Sequence, residues 1–505
     1  MRLLSFLLIA ITFFAHQEIK ASFVEESQSL SSMEVVVKHV GQGNCNIVKF
    51  FKKDETPQIL LFDCGTSAQE QEERYTSAQA PLSPPKSLTL PSTPPSVKKK
   101  HDFSETVSDE DFYEEEFKSK DFMHETRAYL SGTLDSKTKL TIKTIISSHP
   151  DIDHYSLFPK LIDPMRDVVE NLILCGLPQH YTEFGVFREW VKNLQQAGTK
   201  VFFPCFGNQP QDKIDNLFTG NSTPPFAKFY ASKPGEQDAY FGDALNFGPG
   251  FVLSVLSLNA PAIYEEDLDQ VIRRGTIEDD NEDSMVLRIM DKDNKHAVLL
   301  TGDMAMLNQR RILPRYAKEE NLPFLQSTFY VASHHGASTH GSNSFEFLSK
   351  VEPAYILISN GHSKKYKHPD YACYKIFKNL KSLKRTQRHK VLVGPNQGNM
   401  KKSLRETHKA IFTTLSSGDI MLKIDPIQGY SVGTVVDKKI QEIVIEKSFL
   451  SADTLEENEE QTQENESLNE KNIEPDASVA QKKKSIREKL SQEKNSTVKK
   501  LFSEL

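Results

Sequence analysis

No Cys-x-x-Cys pair occurs in this sequence, and its five cysteines (Cys45, Cys64, Cys175, Cys205, Cys373) lie far apart. A zinc knuckle or a disulfide-stapled scaffold needs closer, paired spacing, so both are excluded. The odd count leaves at least one thiol unpaired within the chain. A strong charge of either sign is also missing: 62 Lys and Arg stand against 69 Asp and Glu, for a net −7. That excludes a global attraction to nucleic acid, and any such attraction must be local. Beyond the N-terminus, no apolar run approaches the ~20 residues of a membrane-spanning helix.

What is present divides the chain. Its 505 residues leave room for one large domain or two ordinary ones. Residues 1–22 begin with Arg2, run apolar from Leu3 to Ala15 and reach small residues at Ala21 and Ser22. This order reads as a secretory signal peptide. It would export the protein to the periplasm or beyond; an uncleaved N-terminal anchor is the alternative. Residues 66–135 carry Pro81, Pro84, Pro85, Pro91, Pro94 and Pro95, then three lysines and an acidic run. They lack core-forming periodicity, which predicts a disordered insertion with a short helix within 122–131. Residues 207–245, rich in Gly, Pro, Asn and Asp, predict a surface insertion. Residues 446–505 are acidic to Asp476 and basic from Lys482, which predicts a charged, largely disordered tail for an unknown partner. One domain over 30–445 remains.

That domain is organised around residues 145–154, where a β-branched apolar run ends in His149-Pro150-Asp151-Ile152-Asp153-His154. Neutral imidazole nitrogens and ionised carboxylate oxygens are ligands for first-row divalent metals. Packing four into one turn is costly unless a cation neutralises them. A polar turn after a buried strand is the plainer alternative, and it leaves the density of ligand types unexplained. Other predicted strands end in similar residues. The strand over 58–65 ends in Asp63-Cys64-Gly65, and that over 297–300 runs into Thr301-Gly302-Asp303. The strand over 329–332 leads to Ser333-His334-His335-Gly336. A further one over 355–359 precedes Asn360-Gly361 and Tyr366-Lys367-His368-Pro369. The β-α-β rhythm of 172–203 belongs to a layered α/β domain.

Three motifs, the H-x-D-x-D-H loop, the Val40-Gly41-Gln42-Gly43 turn before it and the Asp63-Cys64-Gly65 strand end, resemble the metallo-β-lactamase superfamily. They are most similar to its ComEC-like hydrolase domains. Asp151 stands where the commoner loop has a second His. The resemblance spans roughly 33–65 and 140–425. It implies an αββα sandwich: two mixed sheets face to face, helices outside, metals at one edge. It also implies two divalent ions, Zn²⁺ or, given the extra carboxylate, Mn²⁺.

By the same resemblance, His149 and Asp151 would hold one ion and Asp153 and His154 the other, with Asp303 between them. His334 would complete the second set, with His335 as the alternative and Asp63 supporting the loop from behind. Asp153 and His368 would be the catalytic residues, His368 contacting the substrate or protonating the leaving group. Asn281 and Ser284 match a structural motif of the family. The family's further His has no counterpart; the nearest strand end offers Asn259 and Pro261. Tyr155-Ser156 replaces the family's glycines, which bears on loop shape and substrate access.

The implied reaction is hydrolysis of a phosphodiester by a metal-activated hydroxide, as in a secreted nuclease or phosphodiesterase. A phosphorylcholine-type esterase, another ester or lactam hydrolase, and a non-catalytic secreted binding protein are the alternatives. The locally basic stretch 364–390, led by Lys364, Lys365 and Lys367, suits a polyanionic phosphate-ester substrate such as nucleic acid. Its alternative is a solvated helix face.

Overall fold

Period-two alternation decides what each strand buries. In β1 (Ser32–Val37), Val35 and Val37 enter one apolar cluster and Val36 another. The same alternation runs through β2 (Cys45–Phe51) and β3 (Gln58–Cys64): Val48, Leu60 and Phe62 turn to the first cluster, Ile47 and Leu61 to the second. A strand that buries both faces needs cover on both sides. The computed structural model describes residues 31–442, except 53–54, 68–118, 134, 136, 184, 208, 212–217, 219–228, 266–269, 274–279, 293–295, 362, 364–365, 396–401, 426–428 and 437–438. The expected signal peptide, most of the 66–135 insertion and the charged tail lie outside the described residues.

After β3 comes α1 (Ser119–Ser131), then β4 (Thr141–Ser147), the short α2 (Ile152–Tyr155) and α3 (Phe158–Leu161), and β5 (Val168–Leu174). The helix α4 (Gly185–Gln196) leads to β6 (Lys200–Phe202). Strands β3, β4, β5 and β6 are mutually parallel neighbours. Across the molecule run β7 (Phe251–Ser257), the hairpin β8 (Ala262–Glu265) and β9 (Gln270–Arg273), β10 (Val286–Asp291) and β11 (Ala297–Leu300). Next come α5 (Met306–Ile312), β12 (Phe329–Val331), α6 (Phe345–Val351), β13 (Tyr355–Ile358) and α7 (Tyr371–Lys378). A hairpin of β14 (Arg385–Val393) and β15 (Ser403–Lys409) precedes β16 (Ile411–Thr413). The antiparallel β17 (Asp419–Asp425), β18 (Gly429–Val436) and β19 (Lys439–Glu442) return to β1.

Among the described residues, one sheet has the order β19-β18-β17-β1-β2-β3-β4-β5-β6 and the other β16-β13-β12-β11-β10-β7. Their inner faces share one core, in which Val48, Leu60 and Ile146 meet Val255, Leu287 and Phe329. Outside the first sheet, Phe122 of α1 and Phe187, Trp190 and Leu194 of α4 cover Ile47, Leu61 and Leu172. Outside the second, Ile312, Phe347 and Phe377 cover Leu299, Tyr330 and Ile356. The architecture is the αββα metallo-β-lactamase sandwich.

Two expectations need correction. The short helix expected within 122–131 is α1, but it belongs to the folded domain and not to a disordered insertion: Phe122 and Leu130 are buried and Arg127 pairs with Asp167. The second half of 207–245 is not a surface insertion either. Phe241, Ala244 and Leu245 enter the central core, and Ala244 O accepts from Thr144 Oγ1 at 2.5 Å. Turn-type composition masked a short apolar series that closes one end of the sandwich.

Candidate metal centre

Parallel strands gather their carboxyl ends on one side of a sheet, the side on which α/β folds place ligands. Here the ends of β3, β4, β11, β12 and β13 meet where the two sheets face each other. Backbone bonds stitch this edge together: Met285 N donates to Ser148 O at 3.0 Å, and His334 N to Gly302 O at 3.1 Å. Ser359 Oγ donates to Gly43 O at 2.8 Å. The approach is close enough to require glycine. A Cβ on Gly65 would lie 2.3 Å from Asp153 C, and one on Gly43 would lie 2.2 Å from Gly65 O.

A bulge aims Asp63. Its neighbours pair as Asn46 with Phe62 and Cys45 with Cys64, so Asp63 is the extra residue, at φ 59. Its carboxylate, fully buried, accepts from Ser148 N at 2.7 Å, Ser148 Oγ at 3.0 Å and Asn44 Nδ2 at 3.1 Å. It also lies 2.9 Å from His154 Nδ1. Ser148 Oγ, whose hydrogen points to Asp63, is free to accept from His149 Nδ1 at 3.0 Å. One carboxylate thereby orients two imidazoles, and both turn Nε2 inward. His335 arrives oriented from the other sheet, with Nδ1 donating to Ser359 O at 2.9 Å.

The inward atoms converge. His154 Nε2 lies 3.0 Å from Asp303 Oδ1, His335 Nε2 3.2 Å from Asp153 Oδ2, and His149 Nε2 4.0 Å from Asp303 Oδ2. His149, His154 and Asp303 form one group with ligand atoms within 4.8 Å of one another; Asp153, His154 and His335 form a second. Yet His149 Nε2, His154 Nε2, His335 Nε2 and Asp303 Oδ1 are buried without a hydrogen bond of acceptable geometry. Buried polar atoms are nearly always satisfied, and these four face one another. The donor set, three Nε2 lone pairs with two carboxylates, fits a divalent transition metal.

The electrostatics agree. Burial alone lowers the His154 ring, but Asp303 and Asp63 outweigh it and raise it well above the ordinary imidazole range. For His335, burial is likewise overcome by Asp303 and Asp153. Burial would raise the Asp303 carboxyl, but the surrounding His154, His334 and His335 hold it well below the usual range. Asp153 is lowered to about 2, its burial outweighed by His335 and His154. The field at this point retains positive charge.

The remaining expected residues fall around this centre. Asp151 lies 3.4 Å from His149 Nε2 but is 44 % exposed. His334, expected ahead of His335, has Nε2 3.7 Å from Asp303 Oδ2 and none of its atoms in either compact group. Burial lowers its ring despite Asp303. His335 takes the inner position because both residues hold left-handed backbone, at φ 51 and 56, which turns the second ring inward. His368 is brought in by the loop after β13, with its ring 5.7 Å from His334 and 6.4 Å from His335. Burial and then those two rings push it down to about 3. Lys367 Nζ donates to Ser363 O at 3.1 Å; Lys364 and Lys365 lie outside the described residues. Among the described residues the basic stretch is not one helix face, since α7 and β14 share it.

Tyr155 and Ser156 do not block the site. Tyr155 packs outward against Tyr181 and Phe187, at 4.9 and 4.5 Å between ring centres, and Ser156 Oγ donates to Thr66 O at 3.1 Å. The sequence reading missed Ser148, Ser359 and His340. Ser148 and Ser359 orient rings, and His340 lies 5.8 Å from His334. Only the position of Ser148 beside the metal-type loop could have signalled one of them.

No family model matches the chain. Over 94 residues, 19 % of this chain and 12 % of the relative, it is 36 % identical to a competence protein, ComA, of Neisseria gonorrhoeae. It thus spans about an eighth of that protein's length. Among solved structures, a long form RNase Z from yeast aligns over 68 % of this chain and 38 % of its own, at 11 % identity and a TM-score of 0.27. That likeness is too slight to bear weight beside the topology. On its own sheets and helices the chain has the metallo-β-lactamase fold, with a cluster of histidines and aspartates where its strand ends meet.

Proposed function

We propose that this protein is a metal-dependent hydrolase of phosphodiester bonds, acting outside the cytoplasm. One observation carries the reading: buried, unpartnered ligand atoms of His149, His154, His335 and Asp303 face one another at the strand ends. His149, His154 and Asp303 would hold one divalent ion, Zn²⁺ or Mn²⁺, with Asp151 at its exposed side. Asp153 and His335 would hold a second; the one Nε2 lone pair of His154 would serve a single ion, and Asp303 could offer an oxygen to either. When bound, the ions supply Lewis-acid chemistry, lowering the pKa of water and neutralising charge that develops on the scissile group.

The chain's own residues do the rest. Asp63, directly and through Ser148, fixes two rings so that their Nε2 lone pairs stay inward. Ser359 O does the same for His335. His368, whose buried Nδ1 has no hydrogen bond, would contact the substrate. The exposed Lys390 and Arg405, on neighbouring strands of the β14–β15 hairpin with Glu406 between them, would add positive charge for a polyanion.

The test joins elemental analysis of the purified full chain to turnover of bis(p-nitrophenyl) phosphate. Divalent metal with turnover is expected, and His368→Ala, which removes one hydrogen bond to the scissile group, should retain the metal while kcat falls by roughly 10²-fold. Turnover of a β-lactam or carboxylic ester, with none of any phosphodiester, would overturn the substrate class.

A further inference from the structure

The bulge that aims Asp63 is flanked by two thiols that the site does not use. Cys45 and Cys64 are directly opposed on the antiparallel β2 and β3, with Sγ atoms 3.1 Å apart and both side chains fully buried. Gly65 N donates to Asn44 O at 3.0 Å, so the bonded position lies one residue further out. The cysteines therefore occupy a non-hydrogen-bonded pair, where Cα atoms come to about 4.5 Å. Disulfides bridge Cα separations of about 4.4–6.8 Å, so the backbone already stands within reach. The sulfurs need close by only about 1 Å to bond.

We propose that Cys45 and Cys64 become a disulfide when the chain folds in an oxidising compartment, and that this bond locks the bulge carrying Asp63. The oxidant is a small-molecule or protein disulfide. One cysteine thiolate attacks it, forming a mixed disulfide and releasing a thiol; the second then displaces the other thiol and closes the Cys45–Cys64 bond. Two protons and two electrons leave the cysteines, and the oxidant's S–S bond becomes two thiols. In the folded chain, burial and then the contact with Cys45 push the Cys64 thiol well above its ordinary range. Exchange therefore belongs to folding, before β2 and β3 are covered, and the finished bond is shielded from reductants.

The bond rests on strand geometry alone, while its effect on the site rests on the metal reading above. Asp63 lies next to Cys64 and carries Ser148 and His154. Tying Cys64 to β2 holds that carboxylate against the pull of an unloading site.

The test refolds the full chain from denaturant with either a glutathione redox mixture or dithiothreitol. Free thiols are then alkylated under denaturing conditions and counted by intact mass. Only Cys175, Cys205 and Cys373 should react after oxidative refolding, all five cysteines after reductive refolding. Non-reducing proteolysis should yield a peptide linking positions 45 and 64. Five reactive thiols in both samples, or a link through any other cysteine, would overturn the bond.

Each form is then loaded with Zn²⁺ and its release to a chelator followed. The oxidised form should release several-fold more slowly, and Cys64→Ser should match the reduced form. If that variant does not fold, the two wild-type forms carry the same readout. Equal release rates overturn the locking but not the bond. Failure of both forms to take up Zn²⁺ overturns the metal reading and the locking together, while the thiol count still decides the bond.

Discussion

Arg127 and Asp167 meet beneath α1 much as His154 and Asp303 meet between the sheets, with both carboxylates buried. Around Asp167 every demand is met. Arg127 grips it twice, at 2.8 and 3.0 Å, and the backbone N–H groups of Asp163 and Leu140 donate at 2.8 and 3.0 Å. Around Asp303 the reverse holds: Oδ1 and the facing Nε2 atoms of His149, His154 and His335 lack hydrogen bonds. Burying a charge is costly in either place. The saturated pair needs nothing further and staples α1 to the sheet. The open cluster leaves ligand atoms unsatisfied among the described residues.

Breaking the saturated pair should have the largest effect. Arg127→Ala strands the Asp167 carboxylate and should cost about 3–5 kcal/mol in urea denaturation. Metal uptake per folded molecule should stay unchanged; a loss of metal would show that the two regions are not independent.

The opposite signature is expected at the open cluster. With divalent metal at a hundred times its Kd, the wild type should gain about 2.7 kcal/mol. Asp303→Ala should gain none in the same melts. Full metal content and activity in that variant would remove the two-ion assignment. Asp63→Asn acts one step back from the ligands, and equilibrium dialysis should show metal affinity weakened by roughly 10–100-fold.

Acid separates the regions more gently. Burial would raise the Asp167 carboxyl, but Arg127 and the two backbone donors hold it below the ordinary 3.8. The unfolded chain therefore binds the extra proton first as pH falls. The contribution is fully present above about pH 4 and is lost as pH drops through the lower folded value. Urea melts between pH 5 and 3 should show this slope in wild type and a weaker one in Arg127→Ala. The smallest effect is expected on the rim. Lys367→Ala should reduce the salt slope of oligonucleotide binding by about one unit and leave small-substrate turnover alone.

Much of this molecule is legible without its structure, because strand period and ligand type are local properties. Alternation of Val35, Val36 and Val37 is enough to predict burial on two faces. His149, Asp151, Asp153 and His154 fall within a single turn, so their density declares itself. Asp303 and the 334–335 pair are readable as strand ends of the same chemical kind. Tertiary structure alone decided the rest. That His335 rather than His334 turns inward depends on left-handed backbone and on Ser359 O, 24 residues on in the chain. That Asp63 orients two rings depends on a bulge between β2 and β3, and that Tyr155 points away depends on Phe187 of α4. That Phe241 and Leu245 close the core depends on β4 and β7 lying beneath them. In each case the deciding partner is remote in sequence. A one-residue shift in strand pairing reverses where every side chain points, so direction belongs to the assembled sheets.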